Sequence, residues 1–357
     1  MSTAPILIVK TGALGDVLRT TSILPGLRER HPAAPLVWLT ACGAADLVRS
    51  HPLLDEVIAI DLAASDAPAT WECALRGRRF SWVISLDDER DLCRLAGGLE
   101  SERLSGALEG SDGALTYTAD VAPWFDMGLL SAHGKQAADR LKLINRESHA
   151  ALFARMLEVA PGRSELVLPR ASLERAAAFA GEHGLQEPRP LIGLNTGAGG
   201  RWTSKQLTVE TTVALAAEID RAREGRVLFL LLGGPEESER NARLASELAA
   251  GEHPLRVVDS GTENSLLDFA ALIDLCDLVI SSDSLALHMA VARRVPTVCF
   301  FAPTSAAEIE LHGRGEKVVS TAPDVCSYRP DADRSTLTPE RLYAAVERVL
   351  AAEDFDS

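Results

Sequence analysis

A short apolar strand followed by a glycine turn occurs twice in this chain. The first copy, ILIVKTGALGD, runs from Ile6 to Asp16, and the second, LIGLNTGAGGR, runs from Leu191 to Arg201. In each copy the apolar run leads directly into Thr-Gly-Ala-x-Gly, a pattern typical of the first strand-to-helix turn of a doubly wound parallel sheet. Because 357 residues are enough for two cores, the duplication predicts two such α/β units in tandem.

Further short apolar runs alternate with helical patterns after each copy, as expected for parallel sheets covered by helices. These runs lie at 36–39, 57–60 and 82–86 after the first copy, and at 227–232, 255–258, 278–281 and 297–301 after the second. Two helical stretches and the proline-rich QEPRP separate the series, so we expect domains of residues 1–175 and 176–337. The last stretch, 338–353, has Thr338 as an N-cap, Pro339 after it and apolar residues at helical spacing, which predicts an amphipathic helix.

Composition and charge narrow the class of protein. The 46% hydrophobic content, the lack of an apolar run near 20 residues and an N-terminus without a basic region lead us to expect a soluble, cytoplasmic chain with at most peripheral membrane contact. The formal net charge of -15 argues against a nucleic-acid partner. Six scattered cysteines without a nearby histidine at ligand spacing predict free thiols rather than a metal site.

The first glycine turn contains Gly12, Ala13 and Gly15 and closes on Asp16. Glycines let a ligand approach the backbone, and this pattern also suits a dinucleotide-binding turn or a plain tight turn. Against NAD, the pattern is G-x-x-G rather than G-x-G-x-x-G, and the second strand ends in Thr40 and Cys42 instead of the acidic residue that would bind a ribose. Taken alone, Asp16 fits a helix cap better than a catalyst.

The second turn is rich in groups that bind anions. Thr196 and Gly197 supply hydroxyl and backbone donors, and Arg201 and Lys205 add positive charge in an acidic half of the chain. A diphosphate suits such a loop, and a solvated loop with ordinary surface cations is the alternative. After the next strand, Glu236 is placed to hold a ribose diol or simply to begin a helix.

A third candidate region is DLVISSDSLALHMA. Its strand delivers Asp283 and Ser284 to the edge of the sheet, and the following helix begins at Leu285 and carries His288 just over one turn later. As an alternative, Asp283 and Ser284 are typical helix-capping residues, and a single histidine such as His288 is typical of a helix packed on the core. The neighbouring anion-binding turn nevertheless favours substrate contact.

Two charged clusters in the N-terminal half complete the survey. The acidic SLDDERD, from Ser85 to Asp91, follows a strand, which favours helix capping by Asp87 to Glu89 over a metal site. The basic residues suit an anionic acceptor or a solvated face. They are Arg76, Arg78, Arg79, Lys135, Arg140, Lys142 and Arg146.

Together these segments resemble glycosyltransferase family 9, the heptosyltransferases that use ADP-activated heptose. The resemblance rests on VKTGALGDVLRTTSILPGLRERHP, GAGGRWTSKQL, DSLALHMA and APTSAAE, with Lys205 at the family's lysine position and Leu285 where the family usually has glycine. It implies the GT-B fold, in which two Rossmann-like domains face each other across a cleft. The donor would bind the C-terminal domain and the acceptor the N-terminal one, with the final helix packing back on the first domain.

The resemblance also implies a division of roles. Asp16 would be the general base of an inverting transfer that needs no metal or other cofactor. The donor diphosphate would contact Thr196, Gly197, Arg201, Lys205, Ser284 and Leu285, and the nucleoside and sugar would contact Glu236, Asp283 and His288. The partners implied are an ADP-sugar donor and a lipid-linked core sugar or small soluble acceptor. An NAD-dependent oxidoreductase and a non-catalytic sugar-nucleotide-binding protein stay open as alternatives.

Overall fold

The computed structural model describes residues 3–64, 71, 73–199, 202–250 and 253–353, and divides the chain into two units, Met1–Val167 and Leu168–Ser357. The division comes before the predicted boundary at residue 175, because the helix Arg170–His183 packs on the helix Leu266–Ile273 of the second unit. The strands of each unit form their own sheet. The predicted pair of α/β units is therefore confirmed.

The first unit is built on a six-stranded sheet of order β3-β2-β1-β5-β7-β8. Its strands are β1 (Ile6–Val9), β2 (Leu36–Ala41), β3 (Glu56–Ile60), β5 (Trp82–Ser85), β7 (Leu104–Glu109) and β8 (Leu115–Tyr117), and a separate pair is formed by β4 (Arg79–Phe80) and β6 (Glu100–Ser101). The pairs up to β7 are parallel, and β8 runs antiparallel to β7.

Helices flank this sheet because β1 is apolar and buried along its whole length. Its helices are α1 (Leu14–Thr20), α2 (Leu24–Arg30), α3 (Arg90–Gly98), α4 (Ala122–Phe125), α5 (Lys135–Ile144) and α6 (His149–Leu157). The predicted strands at 6–9, 36–39, 57–60 and 82–86 all occur, with ends shifted by at most two residues. Strands β7 and β8 were not predicted.

The second unit repeats the arrangement with a fully parallel sheet of order β11-β10-β9-β12-β13-β14. Its strands are β9 (Leu191–Asn195), β10 (Leu228–Leu231), β11 (Val257–Asp259), β12 (Leu278–Ser282), β13 (Thr297–Phe301) and β14 (Gly315–Val319). Its helices are α7 (Arg170–His183), α8 (Val209–Ala222), α9 (Ser238–Ala249), α10 (Leu266–Ile273), α11 (Leu285–Arg293) and α12 (Pro339–Ala352). The order reverses beside β9, which is where open α/β sheets bind ligands.

The last helix, α12, is part of the core of the second unit. It begins as predicted, with the Thr338 hydroxyl accepting from the amide of Arg341, and its spaced apolar residues are buried. Leu342, Val346 and Leu350 lie in the core of the second unit, where α12 packs on α8, β13 and β14. The apolar face of α12 thus completes the second core, and packing of this helix on the first domain stays a prediction.

Length and hydropathy bear on membrane insertion. Within the described part of the chain, every helix is too short or too polar to cross a bilayer.

Candidate functional site

A cavity of about 360 Å³ opens in the second unit beyond the carboxyl ends of its central strands. Segments following β9, β10, β11 and β12 contribute to its wall, so four adjacent strands deliver residues to one place. Its lining comprises Asn195, Ala198, Gly199, Lys205, Gly233, Gly234, Pro235, Glu237, Thr262, Asn264, Leu266, Phe269, Asp283, Ser284, Leu285 and Ala286. This position matches the ligand-binding edge expected for an open parallel sheet.

The loop after β9 is held by hydrogen bonds from the end of β12. The Asn195 side-chain amide donates to the hydroxyls of Ser281 at 3.2 Å and Ser284 at 2.9 Å. The Ser282 hydroxyl donates to the Gly197 carbonyl at 2.5 Å. These bonds join the ends of two neighbouring strands, so the start of the loop has a defined position at the cavity.

The buried carboxylate of Glu237 also supports the loop after β9. Glu237 is 7% exposed, and its two carboxylate oxygens accept from the amides of Gly199 at 2.6 Å and Gly234 at 3.0 Å. A Cβ on Gly197 would lie 2.5 Å from the Glu237 Cγ, so this position has room for glycine alone unless Glu237 moves. Glycine therefore avoids a close contact between the loop and the Glu237 side chain.

Lys205 brings positive charge to the cavity wall. Its ammonium donates to the backbone carbonyl of Asp283 at 3.0 Å and lies 3.2 Å from the Asp283 carboxylate. It also lies 5.4 Å from the centre of the Trp202 ring, within range of a cation–π contact. The Lys205 side chain is 22% exposed, so the cation is positioned by the protein while still accessible.

The N-terminus of α11 forms the adjacent part of the wall. Ser284 is its N-cap and makes no side-chain capping hydrogen bond, and Leu285 and Ala286 begin the helix at the cavity. The first amides of a helix lack partners within the helix and carry its positive dipole end. Lys205 and the helix terminus therefore offer two positive groups to one anion.

The opposite part of the lining is apolar, and the sequence analysis did not identify it. Leu266 and Phe269 lie on α10, and Pro235 follows β10. The available signal was Ser265, which caps α10 through the amide of Asp268 at 3.2 Å, just after β11. Recognising that cap would have placed the start of α10 at the ligand-binding edge.

The other predicted donor residues are differently placed. Thr196 is buried, and its hydroxyl accepts from Arg240 at 2.9 Å, while burial and then the nearby Arg334 lower the pKa of Arg240. Glu236 is exposed, and its neighbour Glu237 lines the cavity instead. His288 is half-buried on α11 and is not among the lining residues described above. Arg201 lies outside the described residues.

In the first unit, Asp16 is the third residue of α1. The N-cap is Ala13, without a side-chain capping bond, so Asp16 is not the N-cap that one interpretation suggested. Its carboxylate lies 2.9 Å from the Arg19 Nε, and the Arg19 guanidinium lies 5.5 Å from the centre of the Trp124 ring. With the Asp16 side chain 36% exposed, its carboxylate is both oriented and accessible.

The turn that carries Asp16 rests on a buried ion pair. The Lys10 ammonium lies 2.5 Å from the Asp87 Oδ1, and the Thr11 amide and hydroxyl donate to Oδ2 at 2.5 and 2.8 Å. Of the stretch Asp87 to Glu89 predicted to cap α3, Glu89 is the N-cap, without a side-chain capping bond, whereas Asp87 joins β5 to the turn after β1. Over the described residues, no cluster of His, Cys, Asp and Glu has the arrangement of a metal site.

The first glycine turn leaves space at its surface. A Cβ on Gly12 would meet no atom within 4 Å, and Ala13 is exposed. Gly15 is the second residue of α1, directly before Asp16. Backbone here is thus open to approach by a ligand, in contrast to Gly197 in the second unit.

Known proteins resemble this chain in sequence and in fold. Residues 129–334, more than half of the chain, match the family model of glycosyltransferase family 9 (heptosyltransferase). Lipopolysaccharide heptosyltransferase 1 of Pseudomonas aeruginosa is 23% identical over 98% of this chain and 99% of its own.

Among solved structures, a family 9 glycosyl transferase of Veillonella parvula is 18% identical, with a TM-score of 0.75 over 99% of this chain and 98% of its own. The E. coli heptosyltransferase WaaC with ADP-2-deoxy-2-fluoro heptose is 18% identical, with a TM-score of 0.58 over 96% of this chain and 99% of its own. These likenesses support the predicted GT-B class of fold.

Proposed function

This chain belongs to glycosyltransferase family 9 and is a glycosyltransferase, and we propose that it transfers a heptose or a related sugar from an ADP-sugar to an acceptor hydroxyl with inversion. The observation that carries the proposal is the cavity of the second unit. Lys205 and the α11 N-terminus suit a diphosphate, and the apolar Leu266 and Phe269 suit a nucleobase. The ADP-sugar analogue named in the WaaC complex supports the choice of donor.

We assign the general base to Asp16. Its carboxylate would take the proton of the acceptor hydroxyl while that oxygen forms a bond to the anomeric carbon of the donor. The bond from the anomeric carbon to the diphosphate oxygen breaks in the same step, and the nucleoside diphosphate leaves with its electron pair. The ion pair with Arg19 supports this role because it orients the carboxylate without burying it.

The leaving diphosphate gains charge as that bond breaks. Lys205 and the first amides of α11 would stabilise this charge, since both are fixed at the cavity before reaction. Thr196 and Gly197 then act by shaping the loop, with Ser284 and Leu285 presenting the helix terminus. For Glu236, Asp283 and His288 we retain the proposed donor roles, Asp283 acting through its contact with Lys205.

The acceptor is a lipid-linked core sugar or a small soluble glycoside. The name of the Pseudomonas aeruginosa relative supports the first of these. An acceptor hydroxyl of either kind needs the same proton transfer to Asp16, so the two classes must be separated by assay.

A panel of ADP-, UDP- and GDP-sugars tests the proposal, scored by mass for donor hydrolysis and for transfer to both acceptor classes. We expect turnover with an ADP-sugar and the strongest thermal stabilisation by ADP among ADP, UDP and NAD. Stabilisation by NAD with no effect of ADP would indicate an oxidoreductase instead. Tight binding of the ADP-sugar with neither transfer nor hydrolysis would indicate a binding protein without catalysis.

A further inference from the structure

The loop that carries Lys205 is held by a segment near the end of the chain. Lys205 closes a short helical turn, Thr203–Lys205, and residues 320–337 join β14 to α12. The buried Ser204 hydroxyl donates to the backbone carbonyl of Arg329 at 3.0 Å, across 125 positions of sequence. The β14–α12 connection therefore lies against the turn that positions Lys205.

Arg334, in this connection, contacts the backbone on both sides of Lys205. The Arg334 Nη1 donates to the backbone carbonyls of Thr203 and Gln206, the second at 3.0 Å. Thr203 comes two residues before Lys205, and Gln206 directly follows it. Hydrogen bonds from an ionised donor are stronger than those between neutral groups. One half-buried guanidinium thus fixes the backbone that carries Lys205.

The backbone of Arg334 is itself anchored. Its carbonyl accepts from the amide of Leu337 at 2.9 Å, and Leu337 is buried in the core of the second unit. One residue earlier, the Asp333 carbonyl accepts from the hydroxyl of Ser320, which directly follows β14, at 3.1 Å. The guanidinium therefore extends from a backbone that is tied to the core and to the end of the sheet.

Other groups hold the remainder of the loop. Glu237 accepts from the Gly199 amide, and the Leu207 amide donates to the Thr196 carbonyl at 3.1 Å, which closes the base of the loop. The Lys205 ammonium lies at the end of a long flexible side chain, so its position depends on where the backbone at Lys205 is held. Arg334 supplies that support.

We propose that Arg334 is a positioning residue that holds the Lys205 ammonium at the cavity for the donor diphosphate. Lys205 lines the cavity and Arg334 is not among the lining residues described above, so Arg334 acts through the backbone of the turn. A cation that is already ordered loses less conformational freedom when its ligand binds. The inference rests on the proposed function, because it takes Lys205 to be a ligand of the diphosphate.

Calorimetry of the full chain with ADP and with adenosine tests the proposal. Arg334→Met keeps most of the aliphatic stem and removes the donors. It should weaken ADP binding by about three- to tenfold, the effect of having to immobilise one long side chain on binding. Adenosine has no phosphate, so its affinity should be unchanged. An unchanged Kd for ADP, or an equal loss for ADP and adenosine, would overturn the proposal.

A double-mutant cycle separates positioning from a direct contact of Arg334 with the donor. In the Lys205→Gln background, Arg334→Met should change the Kd for ADP by less than about twofold, because the cation that Arg334 positions is gone. The same fold loss in both backgrounds would show that Arg334 acts on the donor by itself, and would reject the positioning role.

Arg28 provides the matched control in the first unit. Its guanidinium also donates to two backbone carbonyls, those of Ala34 at 3.0 Å and Leu53 at 2.9 Å, and pairs with Asp55. Arg28→Met should lower the midpoint of thermal unfolding and leave the Kd for ADP unchanged. A loss of ADP affinity equal to that of Arg334→Met would attribute the effect to general destabilisation and reject the proposal.

Thermal unfolding checks that each variant is folded. If Arg334→Met does not fold, Arg334→Lys takes its place, since it keeps the charge and lacks the planar fork of the guanidinium. Its loss of ADP affinity should be smaller and should again disappear in the Lys205→Gln background. Persistence of that loss without Lys205 would reject the positioning role.

The outcomes also separate this inference from the proposed function. ADP binding that Lys205→Gln weakens and Arg334→Met leaves unchanged would reject the positioning role of Arg334 alone. Absence of ADP binding by the wild-type chain would reject the proposed function.

Discussion

The two strand-to-turn copies share a buried carboxylate and differ in the sign of the accessible charge. In the first, the buried carboxylate is that of Asp87, which pairs with Lys10 and accepts from the Thr11 amide, and the accessible charge is the carboxylate of Asp16. In the second, the buried group is the carboxylate of Glu237, and the accessible charge is the cation of Lys205. The same local sequence thus gives one turn suited to take up a proton and another suited to hold an anion.

This contrast shows that a glycine turn does not by itself determine what it binds. Each turn is supported by a carboxylate from a more distant segment, and the sign of the accessible charge is set by a residue in the turn or just after it, Asp16 or Lys205. Asp87 reaches the first turn from β5, and Glu237 reaches the second from the segment after β10. We call the buried carboxylate of each turn its inner group and the accessible charged side chain its outer group. Substituting them one at a time separates structural support of the turn from its role in binding or catalysis.

The largest effect is expected at the outer group of the first turn. Asp16→Asn keeps the size of the side chain and removes the base, so transfer should fall by roughly two to four orders of magnitude with ADP affinity unchanged. Steady-state kinetics and calorimetry measure the two quantities. The matched control is Asp46→Asn, since Asp46 also pairs with an arginine three residues later, Arg49, at 3.8 Å. Near-normal turnover of Asp16→Asn would remove Asp16 from the mechanism.

The inner group of the first turn should control stability. Asp87→Asn leaves the buried Lys10 ammonium without its counterion, and breaking such a pair typically lowers the free energy of unfolding by about 3–5 kcal/mol. Urea unfolding followed by tryptophan fluorescence measures the change, with the neighbouring Asp88→Asn as control. Recovery of the urea midpoint on adding Lys10→Met would support the unpaired charge as the cause. A midpoint equal to that of the control would contradict this account.

At the second turn, the outer group should control donor affinity. Lys205→Gln removes the cation while leaving the protein folded, because Lys205 is partly exposed, and ADP affinity should fall by about ten- to a hundredfold, as for other charged hydrogen bonds. Calorimetry with ADP provides the measurement. Arg226→Gln, at an exposed cation of the same unit, should leave the Kd unchanged. An equal Kd in both variants would place the diphosphate elsewhere.

The smallest effect is expected at the inner group of the second turn. In Glu237→Gln an NH2 group replaces one carboxylate oxygen and cannot accept from a backbone N–H. The backbone amide of Gly199 or Gly234 therefore loses its partner. We expect the free energy of unfolding to fall by about 1–3 kcal/mol, with a modest loss of ADP affinity. Thermal scans with and without ADP measure both changes. Glu239→Gln, an exposed position on α9, is the control, and equal behaviour of the two variants would show that Glu237 does not support the loop.

The parts of the fold that were predicted correctly are its buried central strands. Strands such as β1 and β13 are continuous apolar runs because both faces of the sheet are covered, and their bounds agree with the prediction. Of the strands that were missed, β8 and β14 lie at sheet edges and carry half-exposed residues, and β7 lies next to an edge. An edge strand is specified by its neighbour more than by its own hydropathy, so the sequence gives little sign of it.

The candidate site divides in a similar way. Lys205, Asp283 and Ser284 were placed at the cavity because each follows a strand end, where position along the chain implies position in space. The pairing of Lys10 with Asp87 joins residues 77 positions apart, and no local pattern indicates such a contact. Glu236 and Glu237 are identical neighbours, yet only the Glu237 side chain lines the cavity. Packing of the folded unit determines this difference, so the sequence does not indicate it.

The place of α12 has a consequence for the order in which the protein forms during synthesis. Residues 1–167 are contiguous, so the first unit has all its strands and helices once that stretch has left the ribosome. The second unit includes Leu342 and Val346 in its core, and these are made after every one of its strands. The apolar surface of β13 and β14 that α12 covers therefore stays exposed until translation has passed α12, so the late part of synthesis is a period in which this chain needs protection from aggregation.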